Sequence, residues 1–177
     1  DALIHELQSS CERIEVAGSI RRGKDRVNDI ELVCIPKTLT IDTPRTTKAA
    51  DLFSEGAEVV ERTLMRVPGF VNMVHGWQLK SVEFGHQVKP FGDAWKGRYV
   101  KFNLETGTQV DLFIAMPENW GYIMAIRTGS ADFSQMLATR WKGLGYQGVE
   151  GMLTRNGAAI PLREEADLFA AIGMKVP

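Results

Sequence analysis

Two carboxylates open DIELVCI, residues 29–35, which is otherwise an apolar strand, and their spacing constrains this chain more than any other feature. Side chains alternate along a strand, so Asp29, Glu31 and Val33 leave one face while Ile30, Leu32 and Cys34 leave the other. The two acids then stand about 6–7 Å apart on one face of a segment whose remaining residues ask for burial. Charges are seldom set at the rim of a core without a partner. A second segment repeats the pattern. NLETGTQVDLFIAM reads as a hairpin turning at Thr106-Gly107, in which Gln109, Asp111 and Phe113 alternate with Val110, Leu112 and Ile114. With Asp111 on a strand beside the first, three carboxylates converge, and their repulsion calls for a cation. Oxygen ligands and only three histidines favour Mg²⁺, with Mn²⁺ as the substitute, over zinc. Two such ions bridged by carboxylates are the usual apparatus of in-line phosphoryl transfer. An Asp-x-Glu pair by itself also suits the solvent face of an edge strand.

The residues just before the pair shift that balance. RIEVAG reads as a short strand that Gly18 ends, and Ser19 follows in a turn. Backbone N–H groups and a hydroxyl at such a turn suit phosphate oxygens. Arg21 and Arg22 add two cations with forked donors. A phosphate cradle beside a carboxylate cluster is a coherent site for nucleoside triphosphate chemistry.

Elsewhere the pattern gives an amphipathic helix in ALIHELQSSC and a Thr- and Pro-rich loop over 37–47. A helix is expected in DLFSEGAEVVERTL. Strands are expected in QLKSVEFG and GRYVKFNL, flanking a Gly-rich loop around Phe91 to Gly97. After Pro117 the character changes. ENWGYIMAIR reads as a helix, SADFSQMLATRW as a second one opened by Ser130, and GMLTRNGAAIPL as a hairpin with Asn156-Gly157 at its turn. REEADLFAAIG is a last helix stopped by Gly173. The expected fold class is α+β, with a mixed-sheet domain at 1–117 and a smaller, mostly helical piece at 118–177.

Net charge is -1, yet residues 62–101 carry seven Lys or Arg against two acids, a local formal charge of +5. Such an imbalance suits a phosphate backbone as well as it suits a mixed surface loop. Two cysteines make no disulfide framework, and no apolar run approaches the length of a membrane span. These features point to a cytoplasmic protein with no membrane partner.

Residues 14–35, IEVAGSIRRGKDRVNDIELVCI, resemble the Gly-Ser motif and paired-acid strand of the DNA polymerase beta-like (family X) nucleotidyltransferases. QVDLFIA, 109–115, is similar to the strand carrying their third acid. AIRTGSADF, 125–133, is similar to the Thr-Gly-Ser segment that opens their nucleotide-selection subdomain. The resemblance implies a nucleotidyltransferase palm, 1–117, and a C-terminal closing α/β subdomain, 118–177, as in the minimal two-domain polymerases of certain viruses. It implies that Asp29, Glu31 and Asp111 bind two Mg²⁺ ions and that Asp111 draws the proton from a primer 3′-hydroxyl. Gly18, Ser19 and Arg22 would hold the triphosphate of a dNTP, Thr128, Gly129 and Ser130 its sugar, and Ser134 the base-pair edge. Arg21 would serve structure or the primer strand. Gly129-Ser130 is expected as a cis peptide. Lys80, Lys89, Lys96, Arg98 and Lys101 are the expected contacts to primer-template or gapped DNA.

The activity so implied is template-directed DNA synthesis by a monomer in a bacterial or virus-infected cell, in gap filling or repair. Two alternatives stand beside it: nucleotidyl transfer to RNA, protein or a small molecule, and an inactive nucleic-acid-binding domain. The sequence departs from the family pattern in four places. Glu31 stands where those polymerases usually have Asp, Ile126 and Arg127 replace an aromatic pair, and Ala131 and Ser134 stand where Asp and Asn are common.

Overall fold

A computed structural model describes residues 2–46, 58–83 and 99–177. The chain opens with helix α1 (Ala2–Gln8), strand β1 (Cys11–Val16), the single helical turn α2 (Gly18–Arg21) and strand β2 (Asp29–Pro36). Strands β3 (Thr38–Thr46) and β4 (Glu58–Arg66) and helix α3 (Pro68–Glu83) follow, and then β5 (Tyr99–Asn103) and β6 (Gln109–Ile114). The rest is α4 (Trp120–Thr128), α5 (Ala131–Gly143), β7 (Tyr146–Val149), β8 (Met152–Arg155), β9 (Ala158–Ile160) and α6 (Glu165–Ala171).

The centre is a mixed four-stranded sheet in the order β1-β2-β6-β5. β1 and β2 are antiparallel, β2 and β6 parallel, and β5 and β6 antiparallel. The alternation in β2 and β6 gives the sheet two different faces. Leu32, Cys34, Val110, Leu112, Val100 and Phe102 turn to one side and pack with Leu7 of α1 and Phe70 and Val74 of α3. Val33, Ile35 and Phe113 turn to the other and pack against Trp120 and Met124 of α4. The result is an α+β fold whose mixed sheet is flanked by helices on both faces.

Helix α4 joins this sheet to the C-terminal elements. Trp120 and Met124, one turn apart, lie on the sheet, while Tyr122 and Ala125 on its other side pack with Leu137 and Trp141 of α5 and Leu168 and Phe169 of α6. Trp120, Tyr122 and Trp141 are therefore core residues, as their helical spacing suggests, and His75 is exposed. The strand turns at Glu150-Gly151 and Asn156-Gly157 hold both residues at positive φ (51°, 78°, 52° and 79°), the backbone that a two-residue hairpin requires.

Three local expectations fail. Residues 38–46 form a strand rather than a loop, paired antiparallel with β4 from Thr38↔Arg66 to Thr46↔Glu58. Thr and Ile are β-branched, and across a partner that preference outweighs the loop reading of a Thr- and Pro-rich stretch. Residues 58–66 belong to that partner strand and not to a helix, with 51–57 outside the described residues. QLKSVE continues α3 to Glu83 instead of forming a strand. Pro68 at the first helical position pre-sets the backbone, and Phe70, Val74 and Trp77 recur at helical spacing toward β5, where Trp77 stacks on Phe102 at 5.0 Å. The expected loop around Phe91 to Gly97 lies outside the described residues. Among the described residues, no helix is long and apolar enough to cross a membrane.

Candidate functional site

The strand pairing brings the acids side by side. Glu31 is the register partner of Asp111, and Asp29 that of Gln109, across the parallel β2–β6 pair. All four lie on the α4 face of the sheet, at the end where β2 and β6 begin. Gly18, at φ 62°, turns the chain out of β1 and is buried against the carboxylate of Glu31. The Ala17 N–H donates to the Glu31 carbonyl at 2.8 Å, which locks the Gly-Ser turn to β2.

The Thr-Gly-Ser segment reaches the same place from the end of α4. Arg21 donates from Nη1 to Thr128 Oγ1 at 2.9 Å and holds Glu165 with both ends of its fork at 2.8 and 2.6 Å. Arg22 donates to the carbonyl of Thr128. Ser130 caps α5 by accepting from the Phe133 N–H at 3.3 Å. The Ser134 hydroxyl donates to the carbonyl of Ile126 at 2.9 Å, and Gly129 is packed against the Phe133 ring. Ser19 is half-buried in α2. The Gly129-Ser130 peptide is trans, since no cis bond occurs among the described residues. A cis bond without proline carries a cost of about 3 kcal/mol, and the trans form already seats Ser130 as the α5 cap.

The metal expectation does not survive. Among the described residues, no three His, Cys, Asp or Glu side chains are grouped so as to hold a metal ion, and Asp29, Glu31 and Asp111 are all described. Being on one face and in register is not enough, because the side chains point to different partners. The Glu31 carboxylate folds over Gly18. Asp111 accepts from the Gln109 side-chain amide at 3.0 Å and stands 3.7 Å from the Lys101 ammonium. The donor set does not fit the two Mg²⁺ ions, or Mn²⁺ in their place, that the sequence led us to expect.

Side-chain cations offset the acids instead. Burial raises the pKa of Glu31, and the neighbouring charges of Asp29 and Asp111 raise it further, while Arg127 and Arg22 act against them. Between the ordinary value of 4.5 and its raised folded value, the folded chain holds more protons at Glu31 than the unfolded one, so stability falls as pH rises through that window. Glu31→Gln is therefore expected to raise the melting temperature at pH 7 and to change it less at pH 4.5. Thermal unfolding of both proteins at the two pH values tests this, and an equal shift at both would refute it.

Several further residues complete the site. Arg127 lies over the Phe113 ring, 4.0 Å from its centroid, and Tyr99 stacks on that ring from β5 at 5.0 Å. Glu164 and Glu165 at the start of α6 pair with Arg13 and Arg21. Nothing in the sequence announces these pairs. Arg127 carried a signal in its position directly before Thr128.

Of the basic residues expected at DNA, Lys89, Lys96 and Arg98 lie outside the described residues. Lys80 is exposed on α3, which covers one face of the sheet, whereas Lys101 shares the other face with Asp111. The two described lysines thus lie on opposite sides of the sheet. A search of protein-family models finds no match to the chain, and no curated protein matches it.

Proposed function

We propose that the chain is a template-directed DNA polymerase, its sheet acting as a nucleotidyltransferase palm and residues 118–177 closing over the nucleotide. One observation carries the reading. The three stretches that resemble family X polymerases, far apart in the sequence, meet at one point: Gly18 on Glu31, Glu31 beside Asp111, and Arg21 and Arg22 on Thr128. Such convergence is what a site for a triphosphate and a hydroxyl acceptor needs.

In this reading the primer 3′-oxygen attacks the α-phosphorus of a dNTP, pyrophosphate leaves, and the hydroxyl proton passes to an Asp111 carboxylate oxygen. Asp111 is buried and held by Gln109 and Lys101, so its position is fixed before substrate arrives. Ser19 and Arg22 lie on the side where the β- and γ-phosphates would sit, and Thr128 to Ser130 border the sugar. Gap filling or repair is the setting of that activity in this reading.

The test is primer extension on gapped and nicked duplexes with each dNTP alone. Extension directed by the templating base is expected, and Asp111→Asn is expected to slow it by about 100-fold or more, the usual contribution of a general base. Failure of the intact chain to extend any primer would overturn the reading. Extension at an unchanged rate in Asp111→Asn would overturn the role given to that residue.

A further inference from the structure

Three arginines meet where the Gly-Ser turn touches the end of α4, and two of them are occupied. Arg21 spends its fork on Glu165 and Thr128, and Arg22 donates to the Thr128 carbonyl. Both tie loops together. Arg127 is different: among the described residues its guanidinium makes no hydrogen bond or ion pair, it is exposed, and its Cζ stands over the Phe113 ring, 4.0 Å from the centroid. A ring beneath the guanidinium positions it without using any N–H, which leaves the donors free for a ligand.

Its place on the sheet face says what that ligand should be. Asp29, Glu31 and Asp111 are matched there by Lys101, Arg22 and Arg127, but Lys101 is held at Asp111 on the β5 side. Positive charge with unused donors therefore lies at the α4 end, next to Thr128. A planar fork is suited to paired phosphate oxygens.

We propose that Arg127 is the phosphate-anchoring residue of this site and takes the polyphosphate of an incoming nucleoside triphosphate. This rests on the reading of the chain as a nucleotidyltransferase, and it gives the replaced aromatic position a task that the resemblance does not supply. A purely structural account also exists, since a cation in the last turn of a helix favours the helix dipole and the ring contact adds packing. The two accounts differ in what a charge-free planar substitute would do.

Calorimetric titration of the full chain with inorganic tripolyphosphate, dATP and deoxyadenosine separates them, using wild type, Arg127→Gln and Arg127→Lys. Glutamine keeps a planar amide over Phe113 but removes the charge. Arg127→Gln is expected to weaken tripolyphosphate and dATP binding by about tenfold or more, the size of one or two charge-assisted hydrogen bonds. Deoxyadenosine binding should be unchanged, and Arg127→Lys should recover part of the loss. In primer extension, Arg127→Gln should raise KM for dATP with kcat nearly unchanged. Wild-type affinity for tripolyphosphate in a folded Arg127→Gln protein would overturn the proposal, as would no tripolyphosphate binding by wild type. Binding that depends on Arg127 without any primer extension would uphold the anchor and remove the polymerase reading. Extension with an unaltered KM in Arg127→Gln would do the reverse.

Discussion

Gly121→Ala is expected to be among the most destabilising single-methyl changes in this protein, at about 3 kcal/mol, the upper end for added volume in a packed interior. A Cβ at Gly121 would fall inside the carbonyl group of Glu164 and 2.7 Å from the backbone nitrogen of Glu165. These are main-chain atoms, so no side chain can swing away. The Gly121 N–H also donates to the Leu162 carbonyl at 2.9 Å, so the approach that excludes the methyl is one the backbone itself holds closed. Relief requires α4 to move off the entry to α6, and α4 is the element that packs on both the sheet and the C-terminal cluster. In a chain of this size the loss corresponds to a fall of roughly 6–12 °C in melting temperature. Gly143→Ala is the control, because nothing lies within 4 Å of its added Cβ. It should be neutral or slightly stabilising. Thermal denaturation of the two proteins side by side decides the matter, and a Gly121→Ala melting temperature within about 1 °C of wild type would sink it.

Gly18→Ala should have the second large effect, and it should reach the site as well as the fold. The residue sits at φ 62°, where an L side chain costs about 1–2 kcal/mol. The new methyl would also overlap the Glu31 carboxylate, 2.7 Å from its Cδ and 3.0 Å from its Cβ. The carboxylate is the end of a flexible side chain and can rotate out, but it then leaves its place beside Asp111. The two parts can be measured separately. In a Glu31→Ala background, Gly18→Ala should lose the overlap with the carboxylate and keep the backbone cost and the 3.0 Å approach to the Cβ at position 31, so the two substitutions will be non-additive. Strict additivity in urea unfolding of the four proteins would show that the close approach has no energetic weight. On the polymerase reading, primer extension by Gly18→Ala should fall together with stability.

The parts of this fold that were legible in the sequence are those whose information is local. Strand alternation in 29–35 and 109–114 gave both the strands and their faces, because a period of two needs only six residues to declare itself. The turn at Asn156-Gly157 and the cap at Ser130 were legible for the same reason. β3 was not, since Thr and Pro suit a loop until a partner such as β4 supplies ladder bonds. α3 was lost by reading QLKSVEFG apart from the Pro68 start that governs it.

The site shows the same division. Alternation placed Asp29, Glu31 and Asp111 on one face, but a face is not a direction. Where the Glu31 and Asp111 carboxylates point depends on Gly18, Gln109 and Lys101, two of them on other strands or turns. The Arg13–Glu164 and Arg21–Glu165 pairs join residues 151 and 144 positions apart, and no spacing rule reaches that far.

The parallel pairing of β2 with β6 also bears on how the chain is made. Glu31 and Asp111 are eighty residues apart, so β2 leaves the ribosome long before the strand that covers its inner edge exists. At the synthesis rates of living cells, the wait lasts about 4–16 s. During that interval β2 has only β1 beside it, and its apolar run presents an open ladder of the kind that templates misassembly. Asp29 and Glu31 are the charges at one end of that edge. Before they belong to any site they can act as gatekeepers, discouraging a second nascent chain from pairing where β6 will later fit.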